Sequence, residues 1–203
     1  MYEINDVKKV ILRVTDRLEE ISDELTEIDS RLGDGDMGIS MAKGAAAVRD
    51  ACCNFQWESI KSLLMQCASA LNKAAPSTMG TLLSGALLAL ARYCADKRAL
   101  EEKDLAYIVK VMADAISARG HAQVGDKTIL DAMMPYAETM AAAWEEDKNL
   151  SAAHEKALKA AQEGLESTKG MRAKTGRASW LGDRNSEFPD GGALMFCRIM
   201  EVF

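Results

Sequence analysis

Three carboxylates crowd one short stretch of this chain. They are Asp29, Asp34 and Asp36, in I-D-S-R-L-G-D-G-D-M-G-I-S-M from Ile28 to Met41. Gly33, Gly35 and Gly38 separate or flank the last two. Glycine lets the backbone take positive φ and approach a ligand closely. Grouped carboxylates repel one another unless a cation lies between them. Hard divalent ions such as Mg²⁺ take oxygen ligands and pair a few carboxylates with phosphate oxygens. The stretch therefore points to metal-supported phosphate chemistry. A helix C-cap at Gly33 followed by an ordinary Asp/Gly turn is the alternative reading of the same residues.

The elements that must position this loop are helices. From Ile4 to Ile28 apolar residues recur at alternating spacings of three and four, which predicts one long amphipathic helix ending at Asp29. A homodimeric coiled coil along that seam is the alternative to packing in a bundle. A second helix is expected from Gly38 to Cys53, its N–H groups facing the D-G-D turn. The third carries Ile60, Leu63, Leu64, Cys67 and Leu71. Pro76, Ser77 and Thr78 mark a break and a cap before a fourth, Thr81 to Ala95. That helix is apolar almost all round and is expected to be the most buried. A fifth, carrying Leu105 to Ile116, ends at a loop from Arg119 to Thr128. The sixth runs from Thr128 to Trp144 with Pro135 inside it, where a kink is expected. The seventh, Ala-rich and capped by Asn149 or Ser151, ends near Ser167. Thr168 to Pro189 reads as a long irregular loop, locally basic through Lys169, Arg172, Lys174, Arg177 and Arg184, with Trp180 and Leu181 packing part of it. Asp190 then caps a last helix. His121 and His154 read as surface residues.

Bulk properties agree with a single all-α domain over residues 1–203. The chain is 48% hydrophobic, enough for a sizeable core. A net charge of −6 argues against nucleic acid as a partner. Five cysteines without CxxC spacing read as core thiols of a reducing cytoplasm, not as a disulfide framework. No signal-peptide pattern opens the chain, and the apolar run from Thr81 to Ala91 is too short to span a membrane.

With about eight helices on short connections, neighbours should run antiparallel. The D-G-D, P-S-T-M-G, G-D-K-T and long basic loops then share one rim, and the plain connections share the other. Such a rim suits phosphate handling. Carboxylates would hold one or two Mg²⁺ ions, helix N-termini would meet phosphates or ribose, and Lys127, Arg177 or Arg184 would offset negative charge. No P-loop or kinase Gly-rich motif is present.

The segments L-T-E-I-D-S-R-L-G-D-G-D-M-G-I-S-M (Leu25–Met41), G-D-K-T-I-L-D-A-M-M-P (Gly125–Pro135) and G-R-A-S-W-L-G-D-R (Gly176–Arg184), with P-D-G-G-A after them, resemble the L subunit or L domain of dihydroxyacetone kinases, the DhaL family. The resemblance implies a closed, barrel-like array of eight up-and-down helices with a nucleotide at one rim. It implies that Asp29, Asp34 and Asp36 bind two Mg²⁺ ions holding the phosphates of ADP or ATP. It assigns nucleotide contacts to Met37, Gly38, Ile39, Ser40, Met41, Thr78, Met79, Gly120, Arg177, Asp190 and Gly191, with Arg177 the catalytic residue. It further implies that the γ-phosphate passes to a keto-triose or related short keto-sugar held on a separate DhaK-like subunit, and that a DhaM-like phosphotransferase subunit can recharge ADP. Met37 stands where the family usually has His, Ser40 where Asn is common, and P-D-G-G-A where D-P-G-A is common. A non-catalytic helical interaction or regulatory module that keeps the fold is the alternative.

Overall fold

A computed structural model describes residues 1–176, 179 and 187–203. Among these residues there are nine helices: α1 (Ile4–Glu20), α2 (Ser22–Leu32), α3 (Met37–Asn54), α4 (Ile60–Ala74), α5 (Thr78–Tyr93), α6 (Glu102–Gly120), α7 (Leu130–Asp147), α8 (Leu150–Ser167) and α9 (Gly191–Met200). Extended pairing among them is limited to one isolated bridge, Tyr2 with Leu100. From α3 to α9 each helix packs on the next, and α9 returns to pack on α1 and α2, which lie against α3. The array therefore closes on itself. Its core is lined by Leu25, Met41, Leu63, Ile116, Leu130 and Met195, all essentially buried. No described helix is long and apolar enough to cross a membrane.

Local chemistry fixes several helix starts. The side chains of Ser77, Asn149 and Asp190 accept hydrogen bonds from the backbone N–H groups of Gly80, Ala152 and Ala193. Each satisfies a donor that the first turn leaves unpaired. α7 runs through Pro135, which has no N–H for the carbonyl of Asp131. Gly164 of α8 approaches that carbonyl so closely that a Cβ there would lie 2.0 Å from it. The proline and the glycine together let α7 and α8 meet backbone to backbone.

Three expectations change. The single long helix is divided at Ile21, whose φ of −92° and ψ of 6° leave the helical well. The division serves packing on two partners. Arg17 donates through Nε to the carbonyl of Arg198 on α9 at 3.0 Å, and Arg198 in turn grips Glu24 of α2 at 2.8 Å. α3 begins against the carbonyl of Ser22, where a Cβ on Gly38 would be 1.9 Å away. The most buried helix is α9, not α5. Gly191 through Cys197 are all buried, whereas Leu88 on α5 faces out. His154 is half-buried and its Nδ1 pairs with the Tyr136 hydroxyl at 2.7 Å. The cysteines are free thiols, four of them buried and only Cys53 exposed.

Candidate metal and phosphate site

The carboxylate loop connects α2 to α3. Asp29 lies in the last turns of α2, and Asp34 and Asp36 follow in the loop. Gly33 N–H returns to the Asp29 carbonyl at 2.6 Å, and Gly35 takes φ 75°, the left-handed region that glycine enters without strain. The chain thereby turns back within a few residues. One oxygen from each of Asp29, Asp34 and Asp36 falls within 4.8 Å of the others. Asp29 is half-buried, while Asp34 and Asp36 are exposed. The Met37 N–H donates to Asp29 Oδ2 at 3.1 Å, which orients that carboxylate from the first residue of α3. An all-oxygen, anionic donor set of this span fits a hard divalent cation.

The other three loops reach the same rim, and the start of α9 is their meeting point. A Cβ on Gly191 would lie 3.2 Å from Met37 Sδ and 3.5 Å from the Ile28 side chain. One on Gly192 would lie 2.8 Å from Met79 Cε and 3.1 Å from Ile129 Cβ. The glycine pair thus lets α9 approach the first residues of α3 and α5 and the residue preceding α7. Asp190 N–H donates to Thr168 Oγ1 at 2.9 Å, which pins the turn before α9 to the end of α8.

The α6–α7 loop adds buried charge. Asp131 accepts from the N–H groups of Gly125 at 2.6 Å and Thr128 at 2.7 Å. Asp126 accepts from Lys174 Nζ at 2.9 Å and from Gln123 N–H at 2.9 Å, and these bonds hold its carboxyl below the usual carboxylate range. Lys127 has φ 59° and is 3% exposed; its ammonium donates to the carbonyls of Phe188 at 2.7 Å and Met171 at 3.2 Å. Burial lowers its pKa, with Asp190 acting the other way.

The expected contact residues fall into groups. Met37 and Gly191 meet directly, and Met79 meets Gly192, so these positions share the rim with the carboxylates. Ile39 and Thr78 are exposed there and Ser40 is half-exposed. Gly38 is buried against α2, and the Met41 side chain lies in the core. Gly120 faces the Leu82 side chain of α5. Arg177, together with Trp180, Leu181 and Arg184, lies outside the described residues. Asp131, Thr168 and Phe188 hold the rim together and escaped sequence reasoning. Only Asp131 carried a signal there, since Thr128-x-x-Asp131 has the spacing of a reciprocal helix cap. Surface grooves occur elsewhere, one of about 390 Å³ between α3 and α4 and one of about 250 Å³ between α4 and α5.

Fold and site together define a class: a closed all-helical array with a carboxylate loop for a hard cation beside several helix N-termini. The chain belongs to the DAK2 domain family, whose model matches residues 31–203. Asp34 and Asp36 fall inside the matched range, and Asp29 lies just before it. The chain is 34% identical over 182 residues to a D-erythrulose kinase of Mycolicibacterium smegmatis, covering 89% of this chain and 31% of that protein. It is 28% identical over 181 residues to the ADP-binding subunit DhaL of the PEP-dependent dihydroxyacetone kinase of Escherichia coli, covering 89% of this chain and 86% of that subunit. The chain thus spans about a third of the erythrulose kinase and most of the E. coli subunit. Its fold is shared with the dihydroxyacetone kinase of C. freundii, with a TM-score of 0.75 at 22% identity, over 99% of this chain and 35% of that one. A second structure of the C. freundii enzyme, in complex with AMP-PNP and Mg²⁺, superposes with a TM-score of 0.72 at 21% identity, over 96% of this chain and 32% of that one.

Proposed function

We propose that this chain is the nucleotide-binding, phosphoryl-transferring unit of a dihydroxyacetone-type kinase. It would hold ADP or ATP through Mg²⁺ at Asp29, Asp34 and Asp36. The γ-phosphate would pass to dihydroxyacetone or a four-carbon keto-sugar such as erythrulose, carried by a DhaK-like partner. The observation that carries this reading is the convergence of the three carboxylates within 4.8 Å at the start of α3. Bound there, Mg²⁺ would neutralise phosphate oxygens and orient the transferable group.

The chain's own residues do the rest. Met37 N–H holds Asp29 in place, so the carboxylate need not reorganise when a cation arrives. The N-termini of α3, α5 and α9 lie together beside the carboxylates, and their positive dipole ends favour anions there. Met37 contributes through its backbone, because its side chain is turned into the α3–α9 contact. A helical phosphate rim of this kind supplies binding and charge stabilisation and leaves the acceptor sugar to another surface. Support for that division comes from the E. coli and Lactococcus lactis relatives, each named as an ADP-binding subunit.

The test is calorimetric titration of ADP with and without Mg²⁺. Binding is expected only with the metal. Asp34→Asn should weaken it by about 100-fold or more while leaving the thermal melt unchanged, since an exposed carboxylate contributes little to folding. Equal ADP affinity in EDTA and in Mg²⁺ would refute the reading.

A further inference from the structure

We propose that Lys127 is a positioning residue, whose ammonium braces the Phe188–Gly191 segment against the carboxylate loop and so fixes the shape of the rim. The sequence alone suggested a charge facing phosphates. The geometry points instead to backbone carbonyls. Lys127 is 3% exposed and stands at φ 59°, a region that few non-glycine residues occupy. A buried ammonium in an uncommon backbone conformation persists where its surroundings fix it. Here they do, through bonds to Phe188 O at 2.7 Å and Met171 O at 3.2 Å.

Phe188 is the joint between two loops. Its carbonyl is held by Lys127, while its ring lies under the Arg31 guanidinium, 4.9 Å from the ring centre. Arg31 belongs to α2, between Asp29 and Asp34. Two residues beyond Phe188, Asp190 is tied to Thr168 and caps α9. Gly191 then meets Met37, whose N–H orients Asp29. One path thus leads from Lys127 through Phe188 to Arg31, and another through Gly191 and Met37 to Asp29. Both end at the carboxylate loop.

The effect on ligand rests on the function proposed above, whereas the brace itself does not. Two variants test it. Lys127→Asn suits the left-handed backbone but cannot reach Phe188, and Lys127→Met keeps the stem without the charge. Amide hydrogen exchange over residues 187–194 is expected to rise by about tenfold or more in both variants. Mg²⁺-dependent ADP affinity should fall by about tenfold. Lys156→Met, which removes an exposed cation paired with Glu146 and Asp147 at the opposite end of the array, should change each by less than about twofold. Unchanged exchange in both variants would overturn the proposal. So would lost affinity with unchanged exchange, which would make Lys127 a ligand contact. Loss of the cooperative melt in both variants would also overturn it, making Lys127 a general folding residue. Should the wild-type chain bind no ADP with Mg²⁺, the phosphate reading fails, and the exchange measurement alone decides the brace.

Discussion

Asp190 serves as a cap that prefers a charged oxygen, in surroundings that prefer a neutral one. Its Oδ1 accepts the Ala193 N–H at 2.8 Å. The residue as a whole is half-buried, yet its carboxyl sits where burial dominates and pushes its pKa up to about 7. The Ala193 bond works against that rise, Asp131 adds to it, and Lys127 opposes it. The folded carboxyl therefore binds its proton more tightly than the unfolded one, whose pKa is about 3.9. The associated stability is fully present below the unfolded value and is lost as pH rises through about 7. Asp6, Glu24, Asp104 and Asp126 have lowered values and run the other way, losing their contribution as pH falls below the ordinary carboxylate range. His154, lowered chiefly by burial, also opposes Asp190 below its ordinary value of 6.5. Comparing wild type with Asp190→Asn cancels these terms, because Asn still caps a helix and does not titrate. Urea unfolding from pH 5 to 8 should show wild type losing roughly 2–3 kcal/mol relative to the variant. Parallel stability curves would contradict the burial of this carboxyl. The sequence identified Asp190 as a cap from its place before an apolar run. It could not show the elevated pKa, because the burial that chiefly causes it, and the approach of Asp131 that adds to it, arise only when the rim assembles.

At the scale of elements, caps and apolar spacing made most helices legible. Ser77 and Asp190 cap the helices they were expected to cap, and Asn149 rather than Ser151 caps α8, although α5 begins at Thr78, ahead of the expected Thr81. The division at Ile21 was not legible, since E-E-I-S-D contains neither Gly nor Pro and the apolar seam continues across it. Its cause is tertiary: α1 pairs through Asp16 and Glu19 with Arg49 late in α3, α2 lies against Gly38 at the start of α3, and both pack on α9. The burial of α5 was overestimated for a related reason. Composition records how apolar a helix is, but not how many sides its neighbours cover. Gly164 illustrates an interhelical constraint with a measurable cost. In an isolated helix Gly→Ala gains about 1 kcal/mol. Here the added Cβ would lie 2.0 Å from the Asp131 carbonyl oxygen and 3.0 Å from its carbon, and backbone cannot move aside as a side chain can. Gly164→Ala is expected to lower stability by about 1–3 kcal/mol net. Gly85→Ala, which would meet only the flexible Arg119 side chain at 3.2 Å, should be neutral or stabilising by up to about 1 kcal/mol. Denaturant melts of the two variants discriminate, and equal values would show that α8 can slide.

For the whole molecule, the useful sequence signal was alternation. Polar, glycine-bearing connections occupied every second turn of an up-and-down chain, and the structure brings their flanking residues together at the start of α9. The division at Ile21 leaves that alternation intact, because helical hydrogen bonds continue on either side of it, from Ile21 N–H to Arg17 and from Leu25 N–H to Ile21. What alternation could not supply was the order of contacts within the rim, which depends on the packing of Gly191, Gly192 and Phe188. A closed ring has a further consequence on the proposed function. A ligand bridging the carboxylate loop and the starts of α5 and α9 would join helices that are not all sequential neighbours, so its binding energy would oppose opening of the ring as a whole. At 100 times its dissociation constant, a ligand specific for the folded state adds about 2.7 kcal/mol. For a chain of this size that corresponds to about 5–10 °C in melting temperature. ADP with Mg²⁺ should produce this shift in one cooperative transition, and ADP with EDTA should not. Exchange should slow across all four rim connections while the opposite end, at Phe55–Ser59 and Lys148–Asn149, changes little. Slowing confined to the carboxylate loop would mean that the cation binds there without engaging the rest of the rim, and that the rim is four loops rather than one site.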